Sequence, residues 1–176
     1  MDDQSSVLFR WPQAIADQEW LDGAASWMMA RSRSLLRSPA AVSLAQGKWL
    51  GHPLHPALTD LPIGVWTSAF MVDLVGGREA ADTARRLIGW GNISALPAAI
   101  AGLADAGELS HEDRRIAVTH AALNIGGLIA YVLSWFARRG PQRATAIASS
   151  VAGATLLTVA GHLGGHMAFE PGAATT

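Results

Sequence analysis

The sequence predicts an all-α protein, a four-helix transmembrane bundle with an N-terminal amphipathic interfacial helix. Three observations carry that expectation. Half of the chain is apolar and only 15% is charged, against about 25% in an ordinary soluble domain, so there are too few charges to cover a wet surface. Windows 57–76, 87–104, 116–137 and 144–169 are long and apolar, and a bilayer asks for roughly 20 such residues per helical span. Four windows of this kind within 176 residues leave no amphipathic faces to meet water, which argues against a soluble bundle of Ala-rich buried helices.

Residues 1–50 read as a separate N-terminal segment. Trp20, Leu21, Ala24, Trp27, Met28 and Leu35 recur at helical spacing, with Arg31, Arg33 and Arg37 elsewhere. A helix so built lies in the membrane interface or packs in a groove of a partner protein. Four of the seven tryptophans fall in these fifty residues, which favours the interface. The first thirty residues, with Asp2, Asp3 and Asp17, lack the basic and apolar regions of a signal peptide.

Residues 51–171 form the four-span domain. Pro56 suits the first turn of the first span, where its missing N–H costs nothing. Gly76 and Gly77 end that span, Pro97 should kink the second, and Gly140-Pro141 parts the third from the fourth. Small residues at or near four-residue spacing, Ala98/Gly102/Gly107 and Gly161/Gly165, let helix backbones approach closely. Residues 172–176 are expected to be a disordered tail.

Antiparallel spans divide the polar residues between two ends. The near end, where the first span begins, receives all six histidines (His52, His55, His111, His120, His162 and His166) together with Asp60, Asp105, Glu108, Glu112 and Asp113. The far end holds Arg78, Arg85, Arg86, Arg138, Arg139 and Arg143. That arginine excess favours a cytoplasmic far end, with the histidines facing outward. His120 and His162 sit at matching depth, about 26 Å from the far end. Asn124 shares the His120 face one turn deeper. His52 and His55, each before a proline, are expected off the helix on an extended turn over the bundle mouth. Asp60, near the start of the first span, suits the helix dipole whatever else it does.

Ionisable groups within a span point to function, and imidazole is the commonest metal ligand. One reading is haem b held axially by His120 and His162 on neighbouring helices. Alternatively His52, His55, His120, His162 and His166 hold Fe, Cu or Zn, with Asp60 or Asp105 as a carboxylate partner. A second reading is a proton relay or hydrogen-bonded polar cap. A third is a membrane anchor or scaffold that binds another subunit. Net charge is −1, which gives no electrostatic argument for nucleic acid. The chain has no cysteine, so it makes no disulfide and ligates no iron–sulfur cluster. Ser94, Ser134, Ser149 and Ser150 are remote from the histidine end, which leaves hydrolase chemistry little support.

"HPLHP" before the first span, "AGLAD" ending the second, the run from "RRIAVTHAALN" to "LSWFARR", and "GHLGGH" ending the fourth form an ordered set. With it, residues 50–171 resemble the bacterial membrane-protein family catalogued as domain of unknown function 2231. The resemblance implies a four-helix integral protein of the bacterial cell membrane, with no assigned activity and hence no catalytic residues to carry over. Some members continue into a Rieske-type iron–sulfur domain, which implies a redox neighbourhood. In this cysteine-free chain such a domain would be a separate partner, and "MAFEPGAATT" departs from the Gly-Val-rich continuation of the fused members. The partners expected are thus the lipid bilayer, a redox or iron–sulfur protein, and further copies of the chain.

Overall fold

Three short helices, α1 (Val7–Ala16), α2 (Asp22–Leu35) and α3 (Pro39–Gln46), precede four long ones. These are α4 (Leu54–Val75), α5 (Ala81–Asp105), α6 (His111–Ala137) and α7 (Arg143–Phe169). The structure, a computed structural model, describes residues 7–169, with side chains from residue 11; the expected tail at 172–176 lies outside the described residues. All four long helices are long and apolar enough to cross a bilayer, and most of the surface of each is exposed in the isolated chain, as lipid-facing helices require. The chain is therefore a multi-pass membrane protein of all-α architecture.

Local signals set several boundaries. Ser38 accepts a hydrogen bond from the Ala41 N–H and Pro39 fills the first helical position, so α3 starts there. Gly47, at φ 76°, ends it in a left-handed conformation that suits glycine. Ser110 caps α6 through the Asp113 N–H, with Glu112 and Asp113 in the first turn favouring the helix dipole. Helix α5 runs unbroken through Pro97.

The long helices associate as two antiparallel hairpins, α4 along α5 and α6 along α7, with α5 meeting α6. Between the hairpins, the Trp66 and Tyr131 rings stack at 4.3 Å with an interplanar angle of 1°. The Trp66 indole N–H donates to Asn92 Oδ1 at 3.2 Å, so its polar edge is satisfied within the protein. Gly91 makes this possible, because a Cβ there would come within 2.4 Å of Trp66 Nε1. At the far end Arg138 pairs with both carboxylate oxygens of Asp73, at 2.9 and 2.5 Å, and its Nε–H donates to Ser134 Oγ. Ser134 is itself buried and hydrogen-bonded to Ala146 O and Ser150.

The N-terminal segment differs from its expectation. It forms three helices, and α1 and α2 pack on α6 while α3 packs on α5. The buried face of α2 is Ala25, Met28, Met29 and Ser32, continuing from Leu21. Trp20 (76% exposed), Trp27 (62%) and Leu35 lie on an adjoining, outward stripe. The apolar arc is wide enough for two stripes, and the smaller residues took the protein side because they fit against Ala106 and Ala117.

Two further expectations are corrected. Gly161 and Gly165 face open space, and the close approaches of α7 fall at Gly153 and Gly164, with buried Ala160 between them. The sequence spacing fits either face, and only the neighbouring helix selects one. His55 lies inside the first turn of α4, not on a turn above it. Pro56 is tolerated there because first-turn N–H groups have no helical acceptor, and a hydrogen bond to Ala98 O holds His55 in place.

The side chains of Asp73 and Arg138 are 5% and 3% exposed. Asp73→Ala should therefore strand a buried guanidinium and destabilise the protein by about 3–5 kcal/mol. Unfolding in detergent measures this, and parent-like stability would mean that lipid headgroups or water already serve Arg138.

Candidate functional site

Two imidazoles meet where the hairpins converge at the near end. His55 Nδ1 lies 2.8 Å from Ala98 O, across from α4 to α5. His120 Nδ1 lies 2.8 Å from Ala160 O, across from α6 to α7. A carbonyl oxygen can only accept, so each Nδ1 carries a proton, and Nε2 is the nitrogen left for any other partner. Asn124, one turn deeper on α6, agrees with that tautomer: its Nδ2 is 3.0 Å from His120 Nε2 and also donates to His120 O. The two ring centroids are 6.3 Å apart and nearly perpendicular, at 83°.

Glycine lets both rings reach helix carbonyls that already accept within their own helices. The residue one turn beyond Ala98 is Gly102, and the residue one turn beyond Ala160 is Gly164. A Cβ at Gly102 would come within 2.9 Å of His55 Cε1, and one at Gly164 within 3.1 Å of His120 Cε1. Each histidine thus depends on a missing side chain opposite it.

The other expected ligands are dispersed. His162 stacks on Trp11 at 5.3 Å and 16°. It follows Ala160 by two residues, about 200° round the helix, so equal depth with His120 does not bring the two rings to the same face. His166 is half-buried near the end of α7, and His52 is exposed on the turn before α4. Asp60 is exposed, and Asp105 is half-buried at the last residue of α5. Among the described residues, no three of His, Asp or Glu gather into a group able to hold an ion.

A polar collar seals this end. Ser32 Oγ and Gln46 Nε2 donate to the Leu103 and Ala104 carbonyls, at 2.9 and 3.3 Å. These lie in the last turn of α5, where carbonyls lack helical donors. Arg115 binds both oxygens of Asp22 and donates to Ala16 O at 2.7 Å, tying α1 and α2 to α6. Lys48 pairs with Glu108 at 2.8 Å on the exposed rim. Residue typing missed Trp11, Ala98, Ala160 and Gly164. The carbonyls leave no trace in residue identity, but Gly102 and Gly164 fall inside the "AGLAD" and "GHLGGH" motifs.

Hydrogen bonds from Arg115 hold the Asp22 carboxyl below its ordinary value of 3.8, with His111 adding a smaller pull. A carboxyl lowered on folding stabilises above its unfolded pKa, and that contribution is lost as pH falls through the folded value. Acidification below about pH 4 should thus release α2 from α6. Hydrogen exchange of the α2 amides measures it, and the acid-induced change should disappear in Arg115→Gln. An α2 whose protection, relative to the intrinsic exchange rate at each pH, does not fall on acidification of the parent would refute the tether.

A family model described as "Predicted membrane protein (DUF2231)" matches residues 51–176. No curated protein matches the chain, and neither does any solved structure.

Proposed function

Because the chain belongs to the DUF2231 family of predicted membrane proteins, we propose its function from the geometry of the imidazole pair. The protein is a redox-coupling membrane subunit, and His55 and His120 hold haem b or a single transition-metal ion. The carrying observation is the pair itself: two rings from separate hairpins, each with Nδ1–H tied to a backbone carbonyl, so that Nε2 is the nitrogen through which each would coordinate, that of His120 on displacing the Asn124 amide. The ring centroids are 6.3 Å apart, so one group held between them would touch both.

The ligand count favours haem over a protein-only ion site. A haem would be held by one or two protein ligands, whereas a closed zinc site asks four, and the described residues supply no group of three. This revises the expected axial pair from His120 and His162 to His55 and His120. A bound haem or ion would supply one-electron chemistry; the chain's own residues fix the tautomers and orient the rings. Outward orientation of the near end at the bacterial cell membrane, and a separate iron–sulfur partner, belong to the same proposal.

Asn124 favours one other reading. Its amide already occupies the lone pair of His120 Nε2, as it would if both imidazoles were only interhelical clamps in an anchor or scaffold. The visible spectrum and metal content of detergent-purified protein separate the two. Metal-binding predicts a stoichiometric metal or a haem absorption band that His55→Ala and His120→Ala each abolish and His162→Ala leaves in place. A colourless, metal-free protein that stays so after supplementation with haem, Fe, Cu or Zn would sink the proposal in favour of the clamp.

A further inference from the structure

The two hairpins repeat each other position by position. Adding 65 to a position on α4 gives its counterpart on α6, and adding 62 to one on α5 gives its counterpart on α7. His55 and its acceptor Ala98 become His120 and Ala160. Gly102, against the His55 ring, becomes Gly164, against the His120 ring. Gly91, against the Trp66 indole, becomes Gly153, against the Tyr131 ring.

Burial follows the same rule. Buried Pro62, Trp66 and Ala69 of α4 map onto buried Gly127, Tyr131 and Ser134 of α6. Of the six buried residues of α5, all but Ala104 map onto buried residues of α7, from Ala84/Ala146 to Ala101/Leu163. Chance alignment of two packed helices would preserve a face, but it would not preserve which residue accepts from which histidine.

Three contacts between the hairpins join a position to its own counterpart: His55 with His120, Trp66 with Tyr131, and Asp73 with Arg138. In an assembly of two equivalent units, a position touches its own counterpart only on a two-fold axis. The three pairs stand 11 and then 7 residues apart along each helix, about 16 and 10 Å in depth. They therefore trace one axis along the bundle. Both hairpins start at the near end, which is the arrangement of parallel repeats about the membrane normal.

We infer that the membrane domain is a duplicated hairpin closed about this axis, and that the near-end site consists of two corresponding halves, His55–Gly102 and His120–Gly164, which differ in that Asn124 beside His120 has Thr59 as its counterpart. The second part rests on the proposed function; the first does not. An on-axis site of two like halves takes a ligand that presents the same chemistry to both, a single ion or a planar macrocycle. Gly102 and Gly164 are positioning residues that act through the rings they face.

Two full-length variants test the duplication without reference to any bound group. One exchanges the stacked rings, Trp66→Tyr with Tyr131→Trp. It should stay folded in detergent with a midpoint within about 4 °C of the parent. The other replaces residues 54–75 and 81–105 by copies of 119–140 and 143–167, with Arg138→Asp in the copy to retain the ion pair. It should insert and purify as a folded monodisperse protein. Unfolding or aggregation of either overturns the duplication. For the site, Gly102→Ala and Gly164→Ala should each weaken haem or metal binding by about 10–100-fold, through loss of ring orientation. The two losses should match, and a loss in only one overturns the correspondence of the halves. Both duplication variants folding while the parent binds neither haem nor metal would end the proposed function and leave the duplicated hairpin standing.

Discussion

Inside a bilayer a polar side chain has no water to fall back on, so each must find its partner in the protein, and these pairings determine where the helices meet. Asp73 with Arg138 fastens the hairpins at the far end, and Trp66 stacked on Tyr131 fastens them midway, its indole N–H satisfied by Asn92 of its own hairpin. His55 and His120 bind their hairpins' second helices at the near end. Apolar surface cannot do this work, since lipid tails are as apolar as leucine and offer no drive toward helix association. Accordingly, the large aliphatic residues Leu61, Ile93, Ile125 and Leu133 are more than half exposed, facing where lipid would be.

Close approach is the second requirement. The interhelical ring contacts each sit opposite a small residue: Trp66 opposite Gly91, Tyr131 opposite Gly153, His55 opposite Gly102 and His120 opposite Gly164. The small residue lets a ring lie flat against a helix backbone, and the ring then reaches a carbonyl or another ring. Near the aqueous end the same logic changes hands. There α2 and α3 supply donors to carbonyls that the end of α5 leaves open, and Arg115 donates to Ala16 O of α1, linking the layer to the bundle. The layer covers the end at which the two imidazoles meet.

Much of this was legible beforehand, but unevenly. Span number, helix hairpins and the gathering of histidines at one end follow from window length and antiparallel order alone. The partnership of His120 did not. Depth along a helix can be counted, whereas azimuth depends on which neighbour the helix faces, and two residues separate Ala160 from His162 by about half a turn. Gly161/Gly165 and the Trp20/Trp27 stripe were misread for the same reason. The duplication escaped notice because equivalent positions differ in type, as in Pro62/Gly127, Trp66/Tyr131, Ile88/Ser150 and Asp73/Arg138. The two helices of each hairpin also carry different offsets.

What the sequence determined by itself is the solvent. A chain with so few charges and four long apolar runs can satisfy its backbone only as helices in lipid, whatever the details of packing. What only the tertiary structure decided is which side chain meets which. That choice rests on backbone carbonyls and absent Cβ atoms, as at Ala98, Ala160, Gly102 and Gly164, and these acquire meaning only when another helix is laid against them.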